Sequence, residues 1–233
     1  MTAEKAPYCI VNDDIVMSLF VFSLVGIAYI FLISGSSIVE RLKSMFYYGS
    51  KQSSPYSDRT HISSSCNALL YWQTVFYYGI VTFTYMQLTP EAATTGRIPH
   101  HCLAAYTLLF TAALIAKKVI YDACNVVLFG NEVAQEWSRT YFFTLKMTGF
   151  LLLPVIGSLF SINDLNITYL TIYLLFVTVI YVIAYISNAI KIIFRKKCNY
   201  LDIFLYLCAL ELLPMAILWK TIHSVNSFLT IKF

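Results

Sequence analysis

The sequence has 233 residues, of which 59% are hydrophobic and only 12% are charged. Soluble domains carry about 45–50% apolar and about 25% charged residues, so this composition excludes an ordinary water-soluble globule. The net charge of +4 does not indicate nucleic-acid binding. The basic residues lie between apolar segments and form no basic stripe with interleaved aromatic side chains, so no nucleic-acid partner is expected.

Six apolar segments are each long enough to cross the hydrocarbon core of a bilayer, which takes about 20 residues at about 1.5 Å of rise per residue. In chain order these predicted spans cover residues 15–33, 68–88, 101–118, 140–160, 169–190 and 201–219. The link between spans four and five is short, which predicts that these two spans are antiparallel neighbours. The sequence therefore predicts a single all-α domain over residues 1–233, a polytopic bundle of transmembrane helices.

Lysine and arginine residues are distributed unevenly between the two sides that these spans define. Of the 16, eleven lie between spans one and two, around the end of span three, or at the end of span five. Four lie on the opposite side, and Lys146 lies inside span four. Because basic residues concentrate in cytoplasmic loops, the richer side is predicted to be cytoplasmic. An even number of spans then places both termini outside the cytoplasm, which in a bacterium is the periplasm.

Two segments next to the spans are candidates for short helices on the cytoplasmic membrane surface. The first, residues 38–48, mixes basic with apolar side chains, and its alternative interpretation is a plain continuation of span one. The second, residues 119–129, ends at Gly130, and glycine is typical of helix C-termini. Asn131 is then suited to cap a new helix, because its side chain accepts hydrogen bonds from free backbone N–H groups.

Glu211 is the sharpest polar feature within a predicted span. It lies roughly ten residues into span six, about 15 Å deep, where a carboxylate costs on the order of 2.5–3.5 kcal/mol to insert. Pro214 follows three residues later, and a proline frees the carbonyl four residues before it, here that of Leu210. Two roles stay open for Glu211: a structural hydrogen bond or ion pair, and a proton or substrate site.

Lys146 is the natural ionic partner of Glu211 if spans four and six are neighbours. It lies about two turns from the cytoplasmic end of span four, and its alternative role is to extend back to the headgroups. Span four also contains Pro154, at a depth similar to that of Pro214 in span six. The sequence therefore predicts a candidate intramembrane polar site of four residues: Glu211, Lys146, Pro214 and Pro154.

The sequence contains no recognised catalytic or cofactor-binding motif. It has no Gly-x-Ser-x-Gly, no His-Glu-x-x-His, no P-loop and no Gly-x-Gly-x-x-Gly. The six cysteines form no Cys-x-x-Cys pair, and the four histidines show no helical His–His spacing. We therefore expect no catalytic residue, no cofactor and no metal, and the pattern favours a protein that is not an enzyme.

The last predicted span carries a family resemblance. Residues 206–214, Tyr-Leu-Cys-Ala-Leu-Glu-Leu-Leu-Pro, are similar to a hallmark segment of family 4271 among the domains of unknown function. Gly149 and residues 151–154 of span four resemble a second, weaker feature of that family. The resemblance implies a multi-pass protein of the inner (cytoplasmic) membrane of a Gram-negative bacterium, and it implies no activity.

Three classes of function are compatible with these features. The favoured class is a non-enzymatic subunit, scaffold or assembly factor of an envelope complex, which has a membrane-protein partner besides the lipid bilayer. Its partner contacts are expected in segments 34–67 and 117–139 or on the lipid-facing spans. The second class is a small proton-coupled transporter that uses Glu211. The third is a membrane enzyme that modifies a lipid or isoprenoid.

Overall fold

The computed structural model describes six stretches of the chain, residues 13–46, 62–88, 99–129, 131–161, 167–196 and 213–231. Within these residues there are six helices and no strand. The helices are α1 (Asp14–Phe46), α2 (Ser64–Leu88), α3 (Pro99–Phe129), α4 (Asn131–Ser161), α5 (Ile167–Lys196) and α6 (Leu213–Ile231). The all-α bundle predicted from the sequence is confirmed.

α1 begins with a side-chain cap and runs well past the length of one membrane crossing. The Asp13 carboxylate accepts hydrogen bonds from the backbone N–H groups of Ile15 and Val16, at 3.1 and 3.4 Å, which satisfies two otherwise free donors. With 33 residues the helix is about 50 Å long, whereas the hydrocarbon core is about 30 Å thick. The candidate surface segment after span one is therefore, as far as Phe46, a direct continuation of α1.

α3 and α4 extend in the same way beyond their predicted spans. Residues 119–129 continue α3 without a break as far as Phe129, so this second candidate surface segment is also part of a membrane helix. α4 begins at Asn131, the residue that the sequence predicts as the start of a new helix. Both helices have 31 residues, so each reaches beyond one side of a bilayer.

Four of the described helices are long and apolar enough to cross a membrane. Their apolar stretches are Asp14–Lys43, His101–Ala123, Ser138–Phe160 and Ile167–Asn188, in α1, α3, α4 and α5. α2 is not among them, because it carries Gln73, Thr74 and Thr84, all buried inside the bundle. A helix enclosed by protein meets little lipid, so it needs less apolar surface. α6 is described from Leu213, so it covers the last part of predicted span 201–219 and continues beyond it to Ile231.

α2 and α4 form the centre of the bundle. α2 packs against α1, α3, α4 and α5, and α4 packs against α2, α3 and α5, while α6 lies against α3. Tyr141 of α4 contacts Tyr185 of α5, and farther along Tyr173 of α5 donates a 2.7 Å hydrogen bond to the carbonyl of Leu151. Because the residue numbers rise in α4 as they fall in α5, the two helices are antiparallel neighbours, as predicted.

Aromatic side chains connect α1 to α4 across the bundle. Phe20 stacks on Phe160 with ring centroids 4.7 Å apart, and Phe31 meets Phe150 edge-on at 5.7 Å. At these two contacts the residue numbers rise in α1 as they fall in α4. The two helices are therefore antiparallel, and large rings fill the space between them.

Two glycines allow the central helices to approach closely. A Cβ atom placed on Gly149 of α4 would lie 2.9 Å from Thr74 Oγ1 and 3.2 Å from Thr74 Cα in α2. A Cβ atom on Gly79 of α2 would collide with the methyl group of Thr107 in α3. Small residues at such contacts are typical of helices packed within membranes, where close van der Waals contact drives association.

Candidate functional site

One end of the bundle collects most of its described charged side chains. The C-terminal parts of α1, α3 and α5 and the N-terminal parts of α2 and α4 meet there, and we call this region the basic end. Ile38 and Cys66 share one buried apolar cluster at this end, and Tyr141 stacks on Tyr121 at 4.6 Å. The basic residues with described side chains at this end are Arg41, Lys43, Lys117, Lys118, Arg139 and Lys146.

Lys146 is the most deeply placed polar group of the predicted site that the structure describes. Its side chain is only 8% exposed, and its Nζ donates a 2.5 Å hydrogen bond to Oδ1 of Asn67 in α2. Thr74, two helical turns after Asn67 in α2, donates from its hydroxyl to the backbone carbonyls of Leu70 at 2.7 Å and Lys146 at 3.4 Å. Two hydrogen bonds therefore join α2 to Lys146 of α4, one to its side chain and one to its backbone carbonyl.

Further cations surround Lys146. Lys118 of α3 and Arg41 of α1 are both close enough to repel its ammonium group. The Arg41 guanidinium lies 5.5 Å from the ring centroid of Phe143, one turn before Lys146 in α4. Three helices thus bring together three positive charges, those of Lys146, Lys118 and Arg41.

Lys117 occupies a separate aromatic niche at the same end. Its Nζ lies 4.9 Å from the ring centroid of Tyr141 and 5.8 Å from that of Tyr121, both within the range of cation–π attraction. Nearby, the Ser138 hydroxyl donates a 2.9 Å hydrogen bond to the Asp122 carboxylate. These contacts hold α3 and α4 together.

Asn188 adds a buried amide on α5. It is 8% exposed, and its Nδ2 has no hydrogen-bond partner among the described residues. It lies three residues after Tyr185, so both share the helix face that packs toward Tyr141. The basic end therefore presents hydrogen-bond donors in addition to its cations.

A second polar network lies deeper in the bundle and carries no charge. The Tyr77 hydroxyl, fully buried in α2, lies 2.9 Å from Ser23 Oγ in α1 and accepts a 3.1 Å hydrogen bond from Gln73 Nε2. Farther round α2, the Tyr78 hydroxyl lies 2.7 Å from Thr148 Oγ1 of α4. These groups satisfy one another across helices, which is how buried polar groups are usually accommodated in a membrane.

The structure describes three of the four residues of the predicted site, Lys146, Pro154 and Pro214. Pro154 is exposed and lies eight residues beyond Lys146 in α4, about 12 Å along the axis. Pro214 is partly buried near the beginning of the described part of α6. Glu211 lies outside the described residues, so its pairing with Lys146 stays a prediction.

Sequence reasoning missed Asn67, Lys118 and Arg41 as neighbours of Lys146. Asn67 stands one residue before the predicted start of span two, whereas Lys146 lies six residues, about 9 Å, inside span four. Depth alone therefore does not predict this pair, and the long lysine side chain is what brings the two groups together. Among the described residues, no group of three or more His, Cys, Asp or Glu side chains is arranged to hold a metal ion.

These features define the class of protein. The chain is an integral membrane protein, built as a helical bundle. This class follows from its long apolar helices, from the polar groups that are hydrogen-bonded between helices and from its one basic end. It belongs to the family DUF4271, described as a domain of unknown function, whose model matches residues 16–222. The resemblance seen in the last predicted span is thereby confirmed. No curated protein and no solved structure matches the chain.

Proposed function

We propose that this protein is a non-enzymatic subunit, scaffold or assembly factor of an envelope complex. In this proposal it crosses the bacterial inner membrane several times, keeps both termini in the periplasm and binds another membrane protein. The observation that supports this role best is the close packing of α2 against α3 and α4. A rigid core of this kind suits a platform that holds partners in place.

Two glycines set the close spacing of the central helices. Gly149 brings the α4 backbone within van der Waals distance of the Thr74 backbone, and Gly79 does the same against Thr107. The side chains of Tyr77 and Tyr106 fill the adjoining space and are each no more than 1% exposed. A transporter needs a polar path between helices near the membrane midplane. Here the described central contacts are occupied by rings, methyl groups and hydrogen bonds between helices.

The outer helices offer the surface for a partner. α1 and α5 pack against each other, and both expose large apolar side chains. Leu32 of α1 is 87% exposed, and Leu175 of α5 is 64% exposed. Residues 15–39 of α1 and 167–188 of α5 contain no charged side chain that would oppose contact with an apolar helix of another protein. The exposed faces of α1 and α5 are equally suited to contact lipid. The test must therefore identify which molecules contact these faces in the native membrane.

Site-specific crosslinking in the native membrane provides that test. A photo-reactive amino acid is placed at Leu32 or Leu175 of the full-length chain, with Leu152, which is 1% exposed, as the buried control. We expect one discrete protein adduct, of the same identity in independent preparations, from at least one exposed position and none from Leu152. Lipid adducts alone at both exposed positions, together with migration as a single chain in native gels, would contradict the proposal.

A flux measurement separates this role from the transporter alternative. Purified protein in liposomes with an imposed pH gradient is expected to leak protons no faster than empty liposomes. The matched variant is Glu211→Gln, because an amide cannot titrate. Proton flux that is present in the unmodified protein and lost in this variant would favour a proton-coupled transporter instead.

A further inference from the structure

We propose that residues 150–154 of α4 form a hinge, and that the Tyr173 hydroxyl of α5 holds this hinge in one conformation. Residues 131–149, on the inner side of the hinge, stay fixed to α2. Residues 155–161, on its outer side, change direction when the Tyr173 hydrogen bond breaks. This proposal does not depend on the role in an envelope complex.

Pro154 weakens one turn of an otherwise continuous helix. Proline has no N–H group, so it donates no helical hydrogen bond to the carbonyl of Phe150, four residues earlier. This turn lies within the apolar stretch Ser138–Phe160, where the hydrocarbon around a membrane helix supplies no water to replace the bond. Sharp bends in long helices are typical of such prolines. α4 therefore resists bending less between Phe150 and Pro154 than on either side.

The Tyr173 hydroxyl donates a hydrogen bond into this same turn. It lies 2.7 Å from the carbonyl oxygen of Leu151, the residue that directly follows Phe150. Neighbouring helices supply the hydrogen bonds that make prolines tolerable in transmembrane helices. The Tyr173 ring is partly buried and packs against an apolar cluster of the bundle, which fixes the position of its hydroxyl. Tyr173 therefore ties the weakened turn of α4 to α5.

The apolar core of the bundle changes from one cluster to another at the level of this turn. Apolar residues of α4 as far as Phe150 pack in the cluster at the basic end, and those from Leu151 onward pack in a second cluster. The first set comprises Phe143, Met147 and Phe150, and the second includes Leu151, Leu152, Val155, Ile156 and Leu159. The two sides of the hinge therefore pack against different parts of the core, an arrangement that lets one side move without the other.

Polar contacts fix the inner side of the hinge to α2. Lys146 Nζ donates to Oδ1 of Asn67, and the Thr148 hydroxyl lies 2.7 Å from that of Tyr78. Gly149 lies directly against the α2 backbone. All three of these α4 residues come before the weakened turn, so the inner side cannot change direction without losing its contacts. Motion is therefore expected on the outer side.

Amide hydrogen exchange of the full-length protein in nanodiscs tests this proposal, because exchange reports local opening. Tyr173→Phe removes the hydroxyl and keeps the ring that packs in the core. We expect exchange in residues 151–161 to become roughly three- to tenfold faster, the effect of losing one hydrogen bond. Exchange in residues 138–149 should not change. Tyr169→Phe is the matched control, because Tyr169 lies one turn earlier in α5 and is 49% exposed, and it should alter neither segment.

Pro154→Ala provides an independent second variant. It restores the N–H group that bonds to the Phe150 carbonyl, and Pro154 is exposed, so the replacement leaves the packed core intact. We expect slower exchange in residues 151–161, and a smaller effect of Tyr173→Phe in this background than in the unmodified protein. The proposal is overturned if Tyr173→Phe leaves exchange in residues 151–161 unchanged or accelerates both segments equally. An equal effect of Tyr173→Phe in the Pro154→Ala background would also overturn it.

Discussion

Lys146 shows how a charged side chain is held inside this bundle. Its ammonium group donates to a neutral amide on the neighbouring helix, and cations from two other helices lie nearby. A buried donor that loses its acceptor costs about 1–3 kcal/mol, and more when it is charged. The Lys146–Asn67 hydrogen bond is therefore a determinant of stability.

The first prediction is that Asn67 and Lys146 act as a pair. Asn67→Ala leaves the ammonium group without its acceptor, so we expect a loss of about 1–3 kcal/mol in the free energy of unfolding. In the Lys146→Met background the same change should cost much less, because no charge is stranded. A double-mutant cycle, measured by unfolding in detergent, should give a coupling of about 0.5–3 kcal/mol. Additive losses, or an equal coupling between Asn67 and exposed Lys43, would contradict the pairing.

The second prediction concerns Glu211. This prediction rests on the sequence and on the proposed function. If its role is a structural hydrogen bond, Glu211→Gln keeps a side chain that both donates and accepts. We expect this variant to accumulate in membranes and to form the crosslinked complex at wild-type levels. Glu211→Leu, which removes the polar group, should reduce accumulation. If Glu211→Gln accumulates normally but no longer forms the crosslinked complex, the result would assign the acid a titrating role.

At the scale of helices, burial and polarity follow position in the bundle. α2 is the most enclosed helix and carries the buried polar side chains Gln73, Thr74 and Thr84. α1 and α5 lie at the periphery and expose apolar side chains. Polar groups are tolerated in α2 because the neighbouring helices and its own backbone supply hydrogen bonds, such as those between Thr84 and Ile80 and between Thr74 and Leu70.

The third prediction tests the close contact between α2 and α4. Gly149→Ala places a methyl group 3.2 Å from the Thr74 backbone, so the helices must move apart, which we expect to cost about 1–3 kcal/mol. Gly26→Ala in α1 is the matched control, because no atom lies within 4 Å of its added methyl group. Alanine favours helices over glycine by roughly 1 kcal/mol, so the control should be neutral or stabilising. Thermal unfolding in the same lipid measures the stability of both variants. Equal changes in the two variants would contradict a close contact between α2 and α4 at Gly149.

At the scale of the whole molecule, charge is divided between the two ends. The basic end holds six described lysine and arginine side chains, whereas Asp13 and Asp14 begin α1 at the other end. By the positive-inside rule, this distribution predicts that the basic end faces the cytoplasm.

The fourth prediction is that both termini are periplasmic. A reporter that is active only in the periplasm, fused after Phe233, should be active, and one fused near position 48 should not. The reason is the excess of basic residues in the loops that the sequence predicts to lie on the same side of the membrane as residue 48. A cytoplasm-only reporter provides the complementary control. If the cytoplasm-only reporter is active after Phe233, either the orientation is opposite to the predicted one or the number of spans is not six.

The sequence by itself determined that the chain is a helical membrane protein, where its apolar helices lie and which end is basic. These properties follow from hydropathy and charge summed along the chain, so no knowledge of neighbours is needed. Only the tertiary structure decided that residues 38–46 and 119–129 continue α1 and α3, that α2 lies at the centre and that Asn67 binds Lys146. These features depend on which helices touch and at what depth, and many arrangements of these helices satisfy the same hydropathy pattern.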